Sequence, residues 1–135
     1  MKNLFFLLVA LFLPCGILLS NDLPAQSQAI KPGVYELVGT NFPSSKLGYT
    51  GTVTIKQQGS LYALEWNIGP QQHIQLGTAI LQDSILSVVF YDPAYDIFGV
   101  VSYKIVDENN LEGMWAPMNG AHHGVEHLQW KGETS

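Results

Sequence analysis

From Gly33 onward, apolar and polar residues alternate with a period of two. Tyr62, Leu64, Trp66 and Ile68 share one face, and Ala63, Glu65 and Asn67 share the other. "GTVTIKQ" sets Val53 and Ile55 against Thr52, Thr54 and Lys56, and "VVSYKIV" sets Val101, Tyr103 and Ile105 against Ser102 and Lys104. Antiparallel strands with one buried face produce this pattern. No longer window keeps the stripe of an amphipathic helix.

Turn chemistry interrupts the alternation at "QQGS", "GPQQ", "LQDS", "DPAYD", "DENN" and "PMNG". The segments between predict eight strands, near residues 33–39, 48–57, 61–68, 73–80, 85–91, 97–106, 110–116 and 121–131. Only residues 40–47 form a longer connection. Such a succession is a β-meander, and an open meander leaves two bare edges that invite aggregation. Closure removes them, and eight strands enclose an interior that side chains fill or that holds one small ligand. The expected fold is therefore all-β: an eight-stranded antiparallel up-and-down meander closed into a small, lipocalin- or avidin-like barrel, with a sandwich as the competing packing. Gly51, Gly77, Gly99, Gly113 and Gly124 fall inside alternating runs. They read as the bends or bulges that a small barrel needs. In "LEGMW", Gly113 also leaves space between Leu111 and Trp115.

The run "YTGTVTIKQQGSLYALEWNIG", with "GTAI", "LSVVFY", "FGVVSYKI" and "LEGMW" after it, resembles a family of small exported bacterial proteins. Many members of that family are called fibronectin-binding proteins. The resemblance spans residues 33–130 and rests on strand and turn motifs. It implies an exported β-barrel and, through the family's usual name, an adhesin for host extracellular matrix; it implies no catalytic set. A looser likeness is to the calycin barrels, which open on G-x-W and cap that strand with a basic side chain from the last one. Here Tyr35 stands where the Trp would be, and Lys131 follows Trp130.

The N-terminus changes the picture of where the protein acts. Lys2 is followed by an apolar run from Leu4 to Leu13 and then by small residues, the layout of a secretory signal. The run is too short to span a bilayer. Cleavage is expected after Ser20, or as late as Ala25. The expected organisation is a signal peptide over 1–20, a polar leader over 21–32, one barrel domain over 33–131 and a tail over 132–135. That places the product in the periplasm or at the cell surface, with no membrane span in the mature chain. Cys15, the one cysteine, lies inside the signal. A lipid anchor there needs a small residue before it, and Pro14 is present instead. The barrel has no disulfide to form and must rely on its core.

After Asn21, five lysines stand against eleven acidic residues, a net charge of −6, and arginine is absent. With no basic patch to meet phosphates, nucleic acid is excluded as a partner.

Little in the sequence points to catalysis. There is no G-x-S-x-G elbow, no phosphate loop, and no cysteine in the mature chain. Asp107 and Glu108 sit together only in a turn. "AHHGVEH" brings His122, His123, Glu126 and His127 close in sequence. On a strand, however, His123 and His127 stand about 13 Å apart, too far for one ion without His73 or a carboxylate from a neighbour. No enzyme activity, cofactor or metal is expected.

The aromatic residues carry the more specific expectation. Tyr35, Tyr62, Trp66, Tyr103, Trp115 and Trp130 fall mostly on the inward face. Tyr62, Trp66, Tyr103 and Trp115 are the candidate lining of a ligand cavity, and Tyr95, in "YDPAYDIF", is the candidate contact at its mouth. Three functions follow: a binding barrel for a small apolar molecule, a host-matrix adhesin, or a structural envelope protein without a ligand.

Overall fold

The structure, a computed structural model, describes residues 29–41 and 47–135. The signal segment, Cys15 and most of the leader lie outside the described residues. The strands are β1 (Gly33–Thr40), β2 (Gly48–Gln58), β3 (Leu61–Ile68), β4 (His73–Gln82), β5 (Ile85–Asp92), β6 (Ile97–Asp107), β7 (Asn110–Pro117) and β8 (Gly124–Gly132). Each pairs antiparallel with the next, and β8 closes on β1. The chain is thus an all-β, eight-stranded, closed meander, as the alternation predicts.

The differences from the expected boundaries have local causes. β4 runs on to Gln82 because its turn to β5 is only Asp83 and Ser84. β8 starts at Gly124, not at residue 121. The Gly120 amide donates to the Pro117 carbonyl across a turn in which Asn119 is left-handed (φ 62°). The chain rejoins the sheet only where Gly124 pairs with Trp115. His122 and His123 therefore sit on an exposed loop rather than on the last strand.

The two ends of the barrel differ. At one end β2–β3, β4–β5 and β6–β7 are joined by two-residue turns, Gly59–Ser60, Asp83–Ser84 and Glu108–Asn109. Residues 30–32 cross that end. Ile30 is buried, the Tyr35 hydroxyl donates to the Lys31 carbonyl, and the Trp130 indole donates to the Pro32 carbonyl. The Lys31 ammonium lies 4.3 Å over the Trp130 ring. Burial, with Tyr62 beside it, pushes the Tyr35 phenol up to about 12. Val53, Ile55, Leu64, Leu86, Ile105, Leu111 and Leu128 fill the interior above this plug. Each large apolar side chain so buried contributes roughly 1.5–3 kcal/mol. The longer connections after β3, β5 and β7, residues 69–72, 93–96 and 118–123, gather at the opposite end.

The inner-face glycines answer to neighbouring rings. A Cβ on Gly113 would lie 2.5 Å from the Tyr103 ring, its partner across β6–β7. One on Gly77 would lie 2.7 Å from the Trp66 ring. Phe90 covers Gly99, Trp115 covers Gly124, and Tyr49 covers Gly39 in the same way. None of these glycines has a positive φ, so what each provides is room for a ring. Gly51 instead lies against the backbone of Asn67 and Ile68.

The outer surface is two-sided. On β4 to β7, Leu76, Ile80, Val89, Phe98, Val100 and Met114 are exposed. Their registers place them in adjacent rows: Leu76, Tyr91 and Phe98 in one, and Thr78, Val89, Val100 and Ala116 in the next. Across β8 and β1 to β3 the outward positions are mainly polar, with Lys131 paired to Glu36 at 2.7 Å.

Gly113→Ala is expected to cost about 1–3 kcal/mol, because Tyr103 is fully buried and its hydroxyl is held by Trp66 and Glu126, so the ring has little room to move aside. Met114→Ala, one residue on and facing outward, should change stability by less than about 0.5 kcal/mol. Urea unfolding followed by circular dichroism measures both.

Candidate ligand-binding cavity

Above the packed half, the barrel opens into a cavity of about 350 Å³. Its walls include Tyr49, Trp66, Phe90 and Trp115, with Ile68, Ile97 and Val101 between them and Tyr95 at the rim. Phe90 stands edge-on to Trp66 (centroids 6.3 Å apart) and to Trp115 (6.5 Å). The three rings make a continuous aromatic wall. Tyr95 leans on the His73 ring at 5.6 Å.

Of the five residues expected at a ligand site, Trp66, Tyr95 and Trp115 line this space. Tyr103 is fully buried beside it and reaches it only through a hydrogen bond. Tyr62 lies elsewhere: it pairs with Gln57 and Ala79 toward the plugged end and belongs to the core.

Two carboxylates complete the lining, and both are buried. Glu126 points inward from β8. Its Oε1 accepts from the Tyr49 hydroxyl at 2.8 Å, and its Oε2 accepts a short hydrogen bond from the Tyr103 hydroxyl. The Trp66 indole donates to the Tyr103 oxygen at 3.2 Å, so the chain of donors runs Trp66, Tyr103, Glu126. Burial raises the Glu126 carboxyl above its ordinary value, and the hydrogen bonds from Tyr103 and Tyr49 offset only part of that rise. Burial, and then the facing carboxylate, push the Tyr103 and Tyr49 phenols upward. The Trp115 indole nitrogen is buried beside this group and makes no hydrogen bond.

Asp92 ends β5 at the mouth. Its Oδ2 meets His73 Nε2 at 2.7 Å and accepts from Gln75 Nε2 at 3.0 Å, and its Oδ1 accepts the Ala94 amide at 3.0 Å. Burial alone would raise this carboxyl. The hydrogen bonds from His73, Gln75 and Ala94 outweigh it and hold Asp92 below its ordinary value. The sequence reading leaves Asp92 in the turn "DPAYD" and Glu126 within the histidine run "AHHGVEH". The alternation marks both: Leu86, Val88 and Phe90 lead inward to Asp92, and Leu128 and Trp130 lead inward to Glu126. His127, one residue past Glu126, faces out. Among the described residues, no three His, Cys, Asp or Glu side chains come together as a metal site would require.

The two acids act on stability in opposite senses. The Asp92 carboxyl is lowered from 3.8, so its contribution is full above that value and fades as pH falls through the lower native one. The Glu126 carboxyl is raised from 4.5, so its contribution favours folding below that value and is lost as pH rises through the native one. Urea melts across this range are expected to show the parent losing stability relative to Glu126→Gln as pH rises. Asp92→Asn should be most destabilised near neutrality, with the difference shrinking in acid.

No protein-family model matches the chain, and no curated protein sequence does. Among solved structures it is similar to a redesigned β-barrel, mFAP1, bound to DFHBI. The TM-score is 0.60 at 14% identity, over 73% of this chain and 93% of that one. A second redesigned barrel, mFAP0, also bound to DFHBI, gives 0.59 at 14% identity, over 73% and 96%. At this identity the likeness is one of fold: a small closed β-barrel.

Proposed function

We propose that the chain is an exported, non-enzymatic binding protein that takes a small molecule with an apolar body into the open end of its barrel. The observation that carries this reading is the division of the interior. One half is packed and plugged, while the other holds a cavity of about 350 Å³ with aromatic walls and a few fixed polar groups. That is the size and lining of a small-ligand site. Barrels of the same fold have been solved with DFHBI bound, which lends the reading support by analogy. Export rests on the N-terminal pattern and on the resemblance to exported proteins. A binding rather than a catalytic role is supported by how the polar groups are engaged. His73 Nε2 is committed to Asp92, and both Glu126 oxygens accept phenol hydroxyls.

A second reading is favoured by the apolar rows on the outer face of β4 to β7. An exposed apolar area of this kind suits contact with a protein, and matrix adhesion is what the resembling family's name implies. Saturable binding of fibronectin by the mature domain, lost in Val89→Lys with Val100→Lys, is the expected result. Absence of binding at physiological salt removes this reading.

For the cavity, calorimetric titration with small aromatic compounds is expected to give saturable, one-site binding. Ile97→Trp, which adds a ring at the mouth, should weaken binding by roughly tenfold or more while the fold persists. Binding indifferent to that substitution would place the ligand outside the barrel.

A further inference from the structure

The chemistry of the cavity is specific enough to name a ligand class, granted the binding reading above. We infer that the cavity takes an organic cation: a protonated amine or quaternary ammonium carried on an apolar body. Three observations converge.

First, the lining is acidic apart from His73, which is engaged by Asp92. Glu126 and Asp92 both face the space, and among the described residues no lysine lines it. Lys31 is held at the plugged end by Trp130 and Asn109, Lys131 pairs with Glu36 on the outside, and Lys56 and Lys104 lie on the outward face. Such a pocket attracts cations and repels anions.

Second, the two acids differ in what they lack. Asp92 has three partners, the Gln75 amide, the Ala94 backbone amide and the His73 ring, the last a potential cation. Glu126 has two neutral hydroxyl donors, and no ion pair among the described residues includes it. A buried carboxylate is costly as an anion unless a cation or enough donors compensate it, and Glu126 has only two neutral hydroxyls. Each of its oxygens accepts one hydrogen bond here, so acceptor capacity remains for a ligand N–H. Burial already holds the Glu126 carboxyl above its ordinary value. An arriving cation would draw it back down, so binding at neutral pH favours the carboxylate form.

Third, the cavity that Glu126 faces is lined by aromatic rings: Trp66, Phe90, Trp115 and Tyr49. Rings in a partly desolvated pocket stabilise a cation and its alkyl or aryl substituents together. An apolar pocket for a neutral ligand has no need of an inward, cation-free carboxylate. A pocket for a carboxylic acid or phosphate would present the opposite charge.

The test uses three probes of one shape: naphthylmethylamine, naphthylmethanol and naphthoate, titrated calorimetrically into the mature protein at neutral pH. The amine is expected to bind on the order of tenfold tighter than the alcohol, with naphthoate weakest. Glu126→Gln should erase the amine's advantage over the alcohol. In the parent protein, acidification should erase the same advantage while the amine stays protonated, which keeps the inference testable if Glu126→Gln fails to fold. An alcohol that binds as tightly as the amine overturns the cation inference and leaves the binding reading standing. An amine advantage that survives both Glu126→Gln and acidification also overturns it. If none of the three probes binds, the binding reading falls and this inference falls with it.

Discussion

The interior of a closed eight-stranded barrel is narrow, and this chain puts large rings into it. The constraint that organises the upper half of the barrel is the pairing of five inward rings with glycines on neighbouring strands. Trp66 lies over Gly77, Phe90 over Gly99, Tyr103 over Gly113, Trp115 over Gly124 and Tyr49 over Gly39. At each of these five places the adjacent stave gives up its side chain. This lets aromatic side chains lie across the strands without forcing the barrel open.

The cavity follows from that arrangement. Leu, Ile and Val fill the plugged half, where Ile30 and the Lys31–Trp130 contact seal the end. Toward the other end the same inward positions carry Tyr49, Trp66, Phe90 and Trp115, together with Glu126, Asp92, His73 and Gln75. Polar groups here sit on strands rather than on loops, so the sheet fixes their directions. Tyr103 shows the coupling most directly. Its ring needs Gly113, its hydroxyl holds Glu126, and Trp66 in turn donates to it. Packing and site electrostatics therefore share residues, and a change to one disturbs the other.

Glu126 and Asp92 illustrate two ways of keeping a carboxylate inside a barrel. Asp92 accepts a full set of donors, which stabilises its charged form despite burial. Glu126 relies on phenol hydroxyls that are themselves buried, and desolvation prevails. Hydroxyls supply hydrogen bonds without a compensating charge, and that difference is what separates the two environments. The outer surface carries its own asymmetry, polar around β8 and β1 to β3 and apolar over β4 to β7, and it is independent of the cavity.

Strand positions, turn positions and the closed meander were legible in the sequence, because a period of two and Gly, Asn, Asp and Pro turns are local signals. The inward placement of Trp66, Tyr103 and Trp115 was legible for the same reason. The alternation even reached Asp92 and Glu126, yet one fell in the turn "DPAYD" and the other in a run of histidines, and only the side chains from β4, β6 and β2 show them buried among donors. Tyr62 shows the reverse limit: it shares the inward face of Trp66, but its height along the barrel axis puts it in the core rather than at the mouth. The glycines were read as bends, whereas the pairing of strands reveals the rings that they accommodate. By itself, then, the sequence determined which residues face inward, since that depends on parity along one strand. How far each lies from the mouth, and which side chains meet across the interior, depended on register between strands, and only the tertiary structure decided that.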